Sequence, residues 1–234
     1  MKNFLKQTIS LNKSIIKNNL SILNFGNGSV IDRESKIVYI KASGVLPNEI
    51  NENKVVGVKL KSNNTFKVVY NKKLQPSVDL DIHLKLYNCF KNINSIIHVH
   101  SCFATILSQL AIEPKCIGTT HADFFDKPIP VSNTLKLKSN KVEEYNDKIF
   151  LSIKKRIEKE KNFPPGILLR GHGALSWGKN IQKTIENSVA IEFICKLYYY
   201  CRLLKKNTSL EPSLIKFHYN RKNGKNKSYG QYKK

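Results

Sequence analysis

Apolar residues from position 4 to 23 recur at helical spacing (Leu5, Ile9, Leu11, Ile15, Ile16, Leu20) and predict an N-terminal helix. The turn Phe25-Gly26-Asn27-Gly28-Ser29 leads into a short strand near Val30-Ile31-Asp32. Residues 36–41 alternate in strand fashion and end at Ala42-Ser43-Gly44. Val55 to Leu60 and Thr65 to Tyr70 read as two further strands. A helix over about 79–91 precedes a strand from Ser95 to His100, and a second helix covers about 103–110. Residues 118–123 read as a polar loop, and 141–160 as a charged amphipathic helix. Pro164-Pro165-Gly166 introduces a strand, Ile167 to Arg170, which turns at Gly171-His172-Gly173. A long helix follows from about 180 to 204, and the tail from Lys216 is basic and polar. Strands and helices interleave without strict alternation, which predicts one α/β domain over 1–234 with a mixed or antiparallel sheet.

Composition changes the picture in two places. The chain has 234 residues, 41% hydrophobic, enough for a real core. The net charge of +23 first suggests a polyanionic partner. Only five of the 40 basic residues are arginines, however, and the lysines spread along the whole chain. Nucleic-acid surfaces favour arginine forks. The lysine excess therefore reads as background, and neither a nucleic-acid nor a membrane partner is expected. The five cysteines form no CxxC pair, and residues 1–6 are charged rather than apolar. Reduced thiols in a cytoplasmic protein are expected.

The candidate chemistry centres on histidine. His98-Val99-His100 places two imidazoles on one face of a strand end, where both can reach one ion. Such a pair also occurs for purely structural reasons. His172, between two glycines after a buried strand, is either a surface turn residue or a third ligand. Three histidines from two strand ends leave open positions on a metal, the pattern of catalytic sites. Asp79 starts a helix and is either its N-cap or a fourth donor; His83 lies one turn later on the same face. The small-residue turns at 26–29 and 42–44, with Ser77 before its helix, suit an anion, and Lys41 adds fixed charge. Gly118-Thr119-Thr120-His121-Ala122-Asp123 holds a carboxylate among hydroxyls and a histidine, fit for acid/base work or for a hydrogen-bonded loop.

The order of these blocks resembles the class II aldolase/epimerase superfamily, and within it the L-ribulose-5-phosphate 4-epimerases. The blocks run from Gly26-Asn27-Gly28-Ser29 and Ile40 to Val45, through Pro76-Ser77-Val78-Asp79 with His83, His98-Val99-His100-Ser101 and Gly118 to Phe125, to His172-Gly173 and Trp177-Gly178-Lys179. The tail matches at His218, Arg221 to Gly224 and Ser228-Tyr229-Gly230-Gln231. All six histidines fall within these blocks.

The resemblance implies a three-layer α/β/α sandwich around a largely antiparallel sheet. It implies Zn²⁺ (or another divalent metal) on Asp79, His98, His100 and His172. Asn27, Lys41, Ser43, Gly44, Ser77 and Thr119 would bind a phosphorylated ketopentose. Asp123 and Tyr229 would be the acid/base pair. The C-terminal tail, about 216–234, would carry His218, Arg221 and Tyr229 to a neighbouring subunit of a homotetramer. The implied reaction is an isomerase's: interconversion of L-ribulose 5-phosphate and D-xylulose 5-phosphate by cleavage and re-formation of the C3–C4 bond. The alternative is a class II sugar-phosphate aldolase on the same scaffold. The chain departs from the family pattern at Val78, where a second serine is usual, and at Phe25, Ala42, Ala174-Leu175, Asn223 and Ser228.

Overall fold

The computed structural model of the chain describes residues 1–61, 65–205, 207–224 and 228. Among them are seven strands: β1 (Asn27–Asp32), β2 (Ile37–Lys41), β3 (Val55–Leu60), β4 (Phe66–Tyr70), β5 (Ser95–Val99), β6 (Gly166–Leu169) and β7 (Gly173–Gly178). They form one sheet in the order β4-β3-β2-β1-β5-β7-β6, with every neighbouring pair antiparallel. The helices are α1 (Lys2–Lys17), α2 (Leu80–Cys89), α3 (Cys102–Gln109), α4 (Thr119–Ala122), α5 (Val142–Ile157), α6 (Ile181–Leu204) and α7 (Pro212–Asn223).

Alternation along the strands divides the core in two. Ile96 of β5 packs with Leu84, Leu86 and Tyr87 of α2 and with Ile149 and Ile153 of α5. Its neighbours Ile97 and Val99 face the other way, onto Leu11 and Ile15 of α1, Leu107 of α3 and Ile191 and Ile194 of α6. Both faces of the sheet are thus covered, giving the expected three-layer α/β/α sandwich. Among the described residues no helix is long and apolar enough to cross a membrane.

The observed elements correct the sequence reading in five places. Residues 27–29, read as part of a turn, are the first residues of β1 and pair with β5. The first helix stops at Lys17 rather than 23, because Asn19 takes φ +53 and turns the chain. β7 was not foreseen: its strand, Gly173-Ala174-Leu175-Ser176-Trp177-Gly178, is short and bounded by glycines, so the pattern gives little strand signal. The polar loop at 118–123 contains a helical turn, α4, closed by Ala122 N–H donating to the Gly118 carbonyl at 3.2 Å. The basic tail forms α7, with Pro212 at its start, where a missing N–H costs nothing. α7 packs against α4 of its own chain.

Candidate active site

β5 delivers His98 and His100 on the side of the sheet that carries Ile96, facing α2. His98 sits opposite Asn27 of β1 and Leu175 of β7. The β6–β7 turn returns His172 beside them. The two glycines flanking His172 serve different ends. Gly171 supplies a φ of +74, whereas a Cβ on Gly173 would lie 2.4 Å from the Val99 carbonyl oxygen. Gly173 lets the chain pass close enough for His172 to join the β5 pair.

One ligating atom from each of the three histidines lies within 4.8 Å of the others. His98 Nε2 and His100 Nε2 are 3.1 Å apart. The His172 ring stacks on His98 with centroids 4.9 Å apart and meets His100 edge-on at 4.5 Å. His98 Nδ1 donates to the Ala174 carbonyl at 3.0 Å, which leaves its Nε2 lone pair facing the cluster. Two imidazole nitrogens, each about 2.0–2.1 Å from a zinc ion, lie about 2.9–3.4 Å apart for coordination angles between square and tetrahedral. The observed pair falls within that span, so the donor set fits such an ion. Burial also favours the neutral, metal-binding form. It pushes His172 down to about 4, with His98 adding to the effect, and lowers His98 and His100.

Asp79 stands at the N-cap position of α2 but makes no capping hydrogen bond. Its Oδ2 instead accepts from Asn27 Nδ2 at 2.5 Å. Burial raises the Asp79 pKa, but His98, His83, the Asn27 bond and His172 together outweigh it and hold the carboxyl below its ordinary value. Asp79, His83, His98, Tyr145 of α5 and His172 line one small void. Asn27 is positioned from α1. Asn12 Oδ1 accepts from Gly28 N–H at 2.8 Å, and Asn12 Nδ2 donates to the Gly28 carbonyl at 2.9 Å, as a paired strand would.

The candidate anion-binding residues meet through the backbone. Ser77 N–H donates to the Lys41 carbonyl at 3.0 Å and Ser43 N–H to the Gln75 carbonyl at 2.9 Å. These two bonds set the end of β2 beside the start of α2. Gly44 turns the chain at φ +72. Ser43 and Gly44 are exposed, and Ser77 is buried. Lys41 is buried, and its ammonium donates to the Val45 carbonyl at 2.7 Å. Burial lowers its pKa against the opposing pull of Asp79. Val78 is 73% exposed beside these turns.

A second cluster forms where α7 meets α4. Asp123 Oδ1 lies 3.1 Å from His218 Nδ1 and 3.7 Å from Arg221 Nη2. Asn223 Nδ2 donates to the Asp123 carbonyl at 2.9 Å, and Asp123 N–H donates to the Thr119 carbonyl at 2.9 Å. Among the described residues no hydrogen bond or ion pair joins this cluster to Asp79 or the histidine triad. Tyr229 lies outside the described residues. His121, the remaining histidine of its block, is buried with Nε2 against the Lys127 carbonyl at 2.9 Å and serves the loop's structure.

Sequence reasoning missed Asn12 and Tyr87 and put Ser29 in an anion-binding turn, whereas Ser29 is buried in β1 with its hydroxyl on His83 and Tyr87. The available signal was polar side chains on otherwise apolar faces of α1, β1 and α2.

The model of the class II aldolase and adducin N-terminal domain family matches residues 6–199. Among solved structures, an L-fuculose 1-phosphate aldolase is 22% identical, with a TM-score of 0.78 over 94% of this chain and 96% of that one. A sugar-phosphate aldolase from Thermotoga maritima is 18% identical, with a TM-score of 0.69 over 88% and 98%. An L-fuculose-1-phosphate aldolase from Thermus thermophilus is 16% identical, with a TM-score of 0.66 over 90% and 100%. At these identities the likeness is one of fold.

Proposed function

The chain belongs to the family of class II aldolase and adducin N-terminal domains, and from that premise we propose that it is a divalent-metal-dependent epimerase of ketopentose phosphates. It interconverts L-ribulose 5-phosphate and D-xylulose 5-phosphate. The observation that carries this reading is the Asn27–Asp79 bond at 2.5 Å. A carboxylate already gripped by an amide, beside three imidazoles, suits a ligand better than a mobile base. Proton transfer then falls to groups elsewhere, and Asp123, held by His218 at 3.1 Å, is the acid/base candidate among the described residues.

Asp79, His98, His100 and His172 would hold the metal, zinc by the chemistry of the donor set. When bound, the metal supplies Lewis-acid polarisation of the substrate carbonyl. The residues of the chain do the rest. One acid/base group takes the C4 hydroxyl proton, the C3–C4 bond breaks, and its electron pair passes to the ketone fragment. The aldehyde fragment turns, the bond re-forms on its opposite face, and a second group returns a proton to the new alkoxide. The C4 oxygen changes side, so two groups are needed, and we assign them to Asp123 and Tyr229. Asn27, Lys41, Ser43, Gly44, Ser77 and Thr119 are assigned to the substrate and its phosphate, which must stay anchored while the fragment turns.

The triad and the Asp123 cluster are separate within one chain. We infer that copies of the chain meet so that Asp123 and the tail residues His218, Arg221 and Tyr229 serve a neighbour's metal site. The exposed apolar residues Val189, Phe193, Leu197, Tyr200 and Leu204 of α6 support such assembly into a homo-oligomer.

A second reading, a sugar-phosphate aldolase, is favoured by the names of the similar solved structures. Product analysis separates the two. From L-ribulose 5-phosphate an epimerase yields D-xylulose 5-phosphate, whereas an aldolase accumulates dihydroxyacetone and glycolaldehyde phosphate.

A further inference from the structure

His83 lies on α2 one turn after Asp79, fully buried. Its Nδ1 is 2.7 Å from Ser29 Oγ, and Ser29 Oγ is 2.8 Å from Tyr87 Oη. Tyr87 Oη in turn donates to the Ser29 carbonyl at 2.9 Å. Proton counting fixes the direction of this chain. The carbonyl can only accept, so the phenol proton goes there. The phenol oxygen then accepts the Ser29 proton. Ser29 Oγ accepts in turn, and the proton comes from His83 Nδ1. Any other placement leaves a short contact with no proton in it. His83 is therefore the Nδ1–H tautomer, and its Nε2 carries a lone pair. That Nε2 is buried without a hydrogen-bond partner among the described residues. The ring shares the wall of the small void with Asp79, His98 and His172.

We propose that His83 is a positioning residue, locked by Ser29 and Tyr87 in the tautomer that offers Asp79 no donor. The void that His83 shares with Asp79 thereby receives a lone pair rather than a proton, which suits a cation held by Asp79. This rests on the reading of Asp79 and the triad as a metal site. In the opposite tautomer an Nε2–H would add a proton donor to the ring that shares this void with Asp79, and its positive end would oppose a cation there. His83, like Asp79, falls outside the three-histidine cluster, and the two share the wall of the void beside it.

The test is long-range ¹⁵N–¹H correlation of the histidine rings in the metal-free full-length protein, paired with Zn²⁺ affinity from chelator competition. The wild type should show His83 with the proton on Nδ1. Tyr87→Phe removes the acceptor of the Ser29 proton, freeing Ser29 to donate to His83; the ring should move to the Nε2–H form. Zn²⁺ affinity should then fall by about ten- to a hundredfold, the usual scale for disturbing a ligand's support. Ser29→Ala should act in the same direction. An Nε2–H pattern in a wild-type protein that binds Zn²⁺ overturns the positioning role alone. A tautomer change with unaltered Zn²⁺ affinity does so too. A wild-type protein that keeps the Nδ1–H pattern and binds no Zn²⁺ overturns the metal-site reading instead.

Discussion

Asp79 begins α2 yet turns its carboxylate away from the helix, onto Asn27 Nδ2 at 2.5 Å. An N-cap loses about 0.5–2 kcal/mol when its side-chain acceptor is removed. Asp79 makes no such cap bond, so its conservative replacement should leave the fold nearly untouched. In Asp79→Asn the metal-free unfolding free energy should stay within about 1 kcal/mol of wild type. Zn²⁺ affinity should fall at least about tenfold. Urea unfolding and chelator competition on the same preparations measure the two effects.

The Asp123 cluster predicts the opposite separation. Asp123→Asn and His218→Ala leave Asp79 and the triad intact, so Zn²⁺ binding should not change. Turnover should fall by about 10²–10⁴, the usual contribution of a positioned acid/base group. Metal titration and steady-state kinetics on one sample of each variant check both halves.

Gly173→Ala tests the close approach of β5 and β7. The added Cβ would stand 2.4 Å from the Val99 carbonyl oxygen, and backbone must move to admit it. A loss of about 1–3 kcal/mol is expected, together with weaker metal binding, because His100 and His172 flank this contact. Thermal unfolding with and without Zn²⁺ reads the effect.

The turns proposed to bind the substrate phosphate carry an apolar residue at Val78, 73% exposed. Val78→Ser adds a hydroxyl there. A hydrogen bond to a charged group is worth about 1.5–3 kcal/mol. The variant should lower KM for the phosphorylated substrate by about tenfold or more with little change in kcat. An unchanged KM would remove Val78 from the anion site.

Stability should depend on pH through His83. Burial lowers its pKa from the ordinary 6.5 to about 4, so the folded protein keeps it neutral. Between those values the unfolded chain binds more protons than the folded one, and stability rises with pH. The contribution is complete above about pH 6.5 and is lost as pH falls toward 4, about 3 kcal/mol in all. Urea unfolding of metal-free protein across this range should show a decline at least this large, because His172 is depressed to about 4 as well, and His83→Gln should remove the His83 share of it.

The sequence exposed the triad because its cues are local. A strand places His98 and His100 on one face, and glycines bracket His172. The sandwich was legible for a similar reason, since alternation and helical periodicity mark which faces are buried. Other parts depend on partners distant in sequence. Asn12 looks like an ordinary polar helix residue until Gly28 is brought beside it by α1. α7 has a basic, weakly amphipathic sequence, and its place against α4 comes from tertiary contacts that include the Asp123–His218 pair. β7 carries a weak strand pattern and is held by pairing with β5 and β6 on both sides.

Following L-ribulose 5-phosphate by NMR in the presence of zinc-loaded protein tests the central claim most directly. The account predicts conversion to an equilibrium mixture with D-xylulose 5-phosphate, no net release of fragments, and loss of the reaction on chelation. Accumulation of dihydroxyacetone and glycolaldehyde phosphate, or conversion that survives complete removal of divalent metal, would contradict it.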